Sequence, residues 1–225
     1  MSSTPREEFI AAIGANQQVF GLDLKASVIE RLADHFDLVT EHNPLLHLTG
    51  PLTPAEFAIR HVLESLALLE FLPEWSRFAD IGSGAGFPPI PCLIVREDLK
   101  AHLIESKEKK ASFLRAAIEK LGIDARATVI KNQFAETPRP NITHVTCRAL
   151  DRFTQHLPKL VKWSGNKAML LFGGPALRDA LNQQKLTFGE RLMPMSKQRY
   201  LFVVNKAHLD HLASRVSRSY SRSRR

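Results

Sequence analysis

Apolar residues recur at helical spacing over residues 6–39, where Val28, Leu32 and Phe36 share a face flanked by Ile29 and Val39. Glu30, Arg31 and Asp34 fall on the other faces. Residues 42–51 read as a loop, broken by Pro44, Gly50 and Pro51. A helix start follows at Thr53-Pro54-Ala55-Glu56: Thr53 caps, Pro54 suits the first helical position and Glu56 completes a capping box. That helix buries Ile59, Val62, Leu63, Leu66 and Leu69 and stops near Pro73.

From Arg77 the texture changes to short apolar runs alternating with amphipathic ones. Strands are predicted over 78–81, 101–105, 127–131, 142–147 and 167–172, and helices over 107–121, 151–163 and 176–184. Two further strands, 185–193 and 200–206, are joined by a hairpin-length loop. Alternation of this kind requires crossover connections, hence an α/β fold with a mainly parallel, seven-stranded sheet covered on both faces. With no helix between the last two strands, one of them runs antiparallel to the rest. The expected organisation is a helical region over 1–73 packed on the core, a Rossmann-like domain over 74–209, and a basic tail over 210–225 that is too hydrophilic to bury and is expected to be disordered until it meets a partner.

Composition narrows the class. With 225 residues, 44% hydrophobic and 24% charged, the chain is ordinary globular protein, able to bury about 70% of its unfolded surface. No apolar run is long enough for a membrane span, and the acidic N-terminus does not read as a secretory signal. Two cysteines, Cys92 and Cys147, make neither a disulfide framework nor a zinc site, so a reduced, cytoplasmic protein without a metal centre is expected. The net charge is +8, and five arginines in the last dozen residues carry most of the excess, leaving the body at +3. Such a balance favours a polyanion over an acidic small molecule as partner.

Candidate chemistry begins at Asp80-Ile81-Gly82-Ser83-Gly84-Ala85-Gly86, where three glycines let the first strand turn sharply and the backbone approach a ligand. Alone, such a run is also compatible with a plain tight turn. Here a strand precedes it, a helix follows it, and Glu105 closes the next strand 25 residues after Asp80. A carboxylate in that place accepts both hydroxyl hydrogens of a ribose. The ligand is therefore an adenosine-containing cofactor. Phe87 and three prolines follow the glycines, and the Asp80 charge beside the loop repels a pyrophosphate but suits a ligand carrying an ammonium and a sulfonium. S-adenosylmethionine is preferred over a nicotinamide dinucleotide on those grounds.

The segment FADIGSGAGFPPIP resembles the glycine motif of the bacterial small-subunit ribosomal RNA methyltransferase G family, also called glucose-inhibited division protein B. HNPLLHLTG, IRHVLESL, LIESKEKKASFLR, TCRAL and QRYLFVVNKA agree in order and spacing, so that the resemblance runs over 36–207. It implies a class I, Rossmann-like methyltransferase that modifies N7 of one guanine in 16S ribosomal RNA, free or in the small ribosomal subunit. A soluble monomer is expected. The resemblance also implies cofactor contacts at Gly82, Phe87, Gln133, Phe134 and Arg148, to which the reading of the residues adds Asp80, Gly84 and Glu105. His61, Glu64 and Ser65 match the family's motif beside the cleft, and Arg148 and His61 are the expected catalytic residues. The chain departs from the family at His47, at Asn132-Gln133-Phe134-Ala135, and at Phe172, where the family has a lysine.

Guanine N7 carries a free lone pair, so a site of this kind positions the base and needs no proton acceptor. Arg148, at a strand end, is expected to reach a guanine O6 or a phosphate, with a structural arginine on loop carbonyls as the alternative. Cys147 is expected to be a buried, inert thiol, and Trp75 and Trp163 core or interface residues. Lys107, Lys109 and Lys110 open a helix where their charge opposes the dipole unless phosphate is near. Two other functions stay open: a non-catalytic RNA- or ribosome-binding protein on the same fold, and a small-molecule methyltransferase.

Overall fold

The computed structural model describes residues 3–148 and 153–205. The start expected at Asp151 for one helix, Lys206 of the last strand and the tail 210–225 lie outside the described residues. Among the described residues, no helix is long and apolar enough to cross a membrane.

The first helical stretch is two helices. α1, Pro5–Asn16, starts on a capping box formed by Thr4 and Glu7. A 3-10 turn, Gln17–Phe20, then ends on Gly21, whose φ of 70° only glycine adopts without strain. α2, Ala26–Leu46, runs on into the expected loop and stops at His47. Pro44 removes one donor near the end of α2, while the Asn43 side chain brackets the following turn. Its amide donates to Thr49 O at 3.2 Å and its oxygen accepts from Thr49 N at 2.9 Å. The next helix begins at Pro54 with the predicted Thr53–Glu56 box. It is α-helical over α3, Pro54–Phe57, opens into a π-turn over Ala58–Leu63, closes again in α4, Glu64–Leu66, and ends as a 3-10 turn over Ala67–Phe71.

Seven strands form one sheet: β1 Arg77–Ile81, β2 Lys100–Glu105, β3 Ala127–Lys131, β4 His144–Arg148, β5 Ala168–Gly173, β6 Phe188–Leu192 and β7 Tyr200–Val204. Their order is β3-β2-β1-β4-β5-β7-β6, and all neighbours are parallel except at β7, which runs antiparallel to both β5 and β6. The connecting helices are α5 Pro89–Val95, α6 Glu108–Lys120, α7 Phe153–Ser164 and α8 Pro175–Gln183. Strand alternation divides the core in two. Phe78, Leu103, Leu170 and Leu201 face the helical region together with Phe9, Leu32, Leu93 and Leu114. Ala79, Ile104, Leu171 and Phe202 face α7 and α8.

The helical region and the first face of the sheet thus share one continuous core. Phe9 sits at its centre, fully buried, stacked on Phe36 at 4.6 Å and edge-on to Phe57 at 6.3 Å. Phe9→Ala is expected to lower the unfolding free energy by about 3–5 kcal/mol in urea titration. A loss below about 1 kcal/mol, no more than a minor surface change, would show that α1 contributes little to that core.

Candidate functional site

The register of the sheet brings the site together. Ile81 of β1 pairs with Ile104 of β2, so the glycine turn leaving β1 lies beside Glu105. Gly82, Gly84 and Gly86 take φ values of 72°, 52° and 87°, which L side chains adopt only with strain. Gly82 N and Ser83 N both donate to Ile104 O, at 2.9 and 3.3 Å. A Cβ on Gly86 would stand 2.4 Å from Ile90 Cδ1, so the third glycine is what lets α5 pack against the turn.

Glu105 closes this arrangement. Its Oε2 accepts from Gly84 N at 3.0 Å and its Oε1 from Lys107 N at 2.8 Å, with the residue only 6% exposed. Each oxygen keeps a further lone pair, which is the acceptor set that a ribose diol requires. Above the turn the space is open, because a Cβ on Gly84 would meet only Gly82 O at 3.8 Å. On these residues an adenosine cofactor fits.

Gly82, Gly84, Phe87, Glu105, His61 and Arg148, all predicted from the sequence, line one cleft of about 260 Å³. Lys107 and Lys110 line it as well, as do Leu48 and Thr49 from the loop after α2. Lys110 Nζ donates to His47 O at 3.1 Å, tying α6 to that loop. Phe87 packs against two imidazoles, with His61 at 5.1 Å and His35 at 4.7 Å between ring centroids. His35, which sequence reasoning missed, is completely buried and its Nε2 lies 2.9 Å from Ala85 O of the glycine turn. Burial drives the His35 pKa down to about 4, so the ring is neutral and Nε2–H donates to that carbonyl.

The His61 imidazole is also held neutral. Burial, with the charges of Arg148 and Arg60 adding to it, lowers its pKa to about 3. Both of its ring nitrogens are buried without a hydrogen-bond partner. Arg148 is committed to the protein itself. Its Nη2 donates to Arg60 O and to Glu64 Oε2 at 3.1 Å, and its Nη1 to Ser65 Oγ at 3.2 Å and His61 O at 3.5 Å. The guanidinium lies over the Phe172 ring, 5.2 Å from its centroid. These carbonyl contacts match the structural alternative for Arg148, on a helix in place of a loop.

Three predicted residues stand outside the cleft lining. Asp80 is buried beneath the turn, 1% exposed, with Oδ1 accepting from Thr146 Oγ1 at 2.6 Å and Oδ2 without a partner. Burial raises its pKa to about 7 against the opposing hydrogen bond from Thr146. The full negative charge expected beside the loop is therefore only partly present at neutral pH. Gln133 is exposed and precedes a short 3-10 turn, Phe134–Glu136. Phe134 is buried edge-on to Trp163 at 6.3 Å in the second core. Cys147 is buried, its thiol 3.3 Å from Ile81 O. Trp163 is part-buried, donating Nε1–H to Thr137 O at 2.8 Å. Trp75 is no core residue: it is 75% exposed, in a turn where its φ is 61°.

The fold is similar to that of an S-adenosylmethionine-dependent methyltransferase from Aquifex aeolicus, with a TM-score of 0.54 at 15% identity over 76% of this chain and 97% of that one. It is likewise similar to TrmK of M. capricolum, solved with S-adenosyl-homocysteine, at a TM-score of 0.52 and 19% identity over 66% and 72% of the two chains. These likenesses define a Rossmann-like fold of the methyltransferase type. The profile of the family described as rRNA small subunit methyltransferase G matches residues 28–209, and the chain belongs to that family. Among its relatives are ribosomal RNA small subunit methyltransferases G from Sorangium cellulosum, 36% identical over 75% of this chain and 71% of that protein, and from Dichelobacter nodosus, 30% identical over 89% and 98%.

Asp80 generates a pH prediction. Between its ordinary value of 3.8 and the raised value of about 7, the folded protein holds a proton that the unfolded chain has lost. Its contribution to stability is therefore complete at low pH, falls as pH rises through that window and levels off above it. Asp80→Asn removes the titration. In urea denaturation the Asn variant is expected to gain on the wild type between pH 5 and pH 8, and an unchanged difference would mean that Asp80 is ionised throughout.

Proposed function

We propose that this protein transfers a methyl group from S-adenosylmethionine to N7 of a guanine in 16S ribosomal RNA, acting as a monomer in the cytoplasm. The observation that carries the reading is the Glu105 carboxylate. It fixes the glycine turn through Gly84 N while its remaining lone pairs face the cleft that His61 and Arg148 also line.

When bound, the cofactor supplies an electrophilic methyl group on a positively charged sulfur. Gly82, Gly84 and Phe87 shape its seat, and Glu105 takes the ribose hydroxyls. The N7 lone pair needs no base, which agrees with a cleft whose histidine is a weak base and whose buried acid Glu105 is held by Gly84 N and Lys107 N. His61 and Phe87 present a stacked apolar face that excludes water from beside the base. Lys107 and Lys110 at the cleft supply positive charge for the phosphates on either side of the target.

The test is methylation of small ribosomal subunits, and separately of free 16S RNA, prepared from cells lacking this protein, using a cofactor with an isotopically labelled methyl group. Nucleoside mass analysis is expected to find the label as 7-methylguanine at one position. RNA that binds without acquiring label would make the protein a non-catalytic RNA binder, and label transferred to a small molecule in place of RNA would overturn the substrate.

A further inference from the structure

We infer that Glu64 is a positioning residue for methyl transfer, clamping Arg148 and Arg199 so that the π-turn Ala58–Leu63 presents His61 to the cleft at a fixed place above the end of β4. The inference rests on the reading of that cleft as a methyl-transfer site.

Glu64 is 1% exposed and carries two cations at once: Arg199 Nε at 2.7 Å on Oε1 and Arg148 Nη2 at 3.1 Å on Oε2. The partners come from distant parts of the fold. Arg148 ends β4, and Arg199 precedes β7. The carboxylate therefore joins the helix to two strands of the carboxyl edge. Arg148 continues the chain of contacts into the π-turn, donating to Arg60 O and His61 O, while the Ser65 hydroxyl also donates to His61 O. The backbone of His61 is thus held from two sides and its ring is stacked on Phe87.

Two physical arguments give this arrangement a role beyond stability. A π-turn is a poorer helix than the α form, and such turns concentrate at functional sites. Here the widening is explicit, with Glu64 N bonded to Ile59 O five residues back. Second, a buried acid between two guanidinium groups returns little stability compared with well-packed apolar residues, because desolvation offsets most of the attraction. What the triad supplies is orientation. It sets the helix turn that brings His61 to the cleft.

The experiment compares wild type, Glu64→Gln, Arg199→Gln and the double variant, on small subunits from cells lacking the protein and well below each protein's unfolding midpoint. Glu64→Gln is expected to lower kcat at least tenfold with both substrates saturating. Its affinity for S-adenosylmethionine, measured by calorimetry, stays within twofold, since Gly82, Gly84 and Glu105 are untouched. Removing the surplus cation in the double variant is expected to restore part of the thermal stability but not kcat. A merely structural glutamate predicts the reverse, with kcat of the folded protein unchanged in Glu64→Gln or recovering with stability in the double variant, and either result overturns the inference. A wild-type protein that methylates nothing would instead refute the methyl-transfer reading itself.

Discussion

One carboxylate organises the carboxyl edge of this sheet. Glu105 accepts a backbone hydrogen bond on Oε2 from the turn after β1 and another on Oε1 from the start of the segment after β2, so that two chain reversals are locked to one carboxylate. The glycines make this possible, because the turn after β1 takes positive φ at every second residue, at Gly82, Gly84 and Gly86. The parallel register of β1 and β2 does the rest, placing Glu105 one residue beyond the Ile81–Ile104 pair. A site fixed in the free protein in this way loses little further conformational freedom when a ligand arrives.

The helical region belongs to the same construction. A run of aromatic contacts passes from Phe9 through Phe36 and Phe57 to His61 and Phe87, and His35 of α2 holds the carbonyl of Ala85. The glycine turn is thus gripped from the sheet by Glu105 and from the helices by His35.

What could be read from the sequence was what is local. The sheet with its antiparallel strand, the Thr53–Glu56 capping box and the pairing of the glycine turn with Glu105 follow from periodicity and turn chemistry within short windows. Features set by distant partners were not legible. The π-turn is accompanied by contacts from Arg148, more than eighty residues away, to its carbonyls. Gly21 split a stretch that apolar spacing alone reads as a single helix, and the Asn43 bracket accompanies α2 through Pro44. Asp80 illustrates the limit most clearly: its place before the glycines was evident, but whether it carries charge depends on burial that no window of sequence displays. A signal for Glu64 was present, an acid set between Leu63 and Leu66 on the apolar side of a helix, and its partners explain it.

The most direct measurement of the account is the calorimetric affinity of S-adenosylmethionine for the wild type and for Glu105→Ala, both checked for folding. The wild type should bind, and the variant should bind at least about tenfold more weakly, as the loss of charge-assisted hydrogen bonds of ~1.5–3 kcal/mol requires. Equal affinities, or a wild type that takes up no cofactor at millimolar concentration, would contradict it.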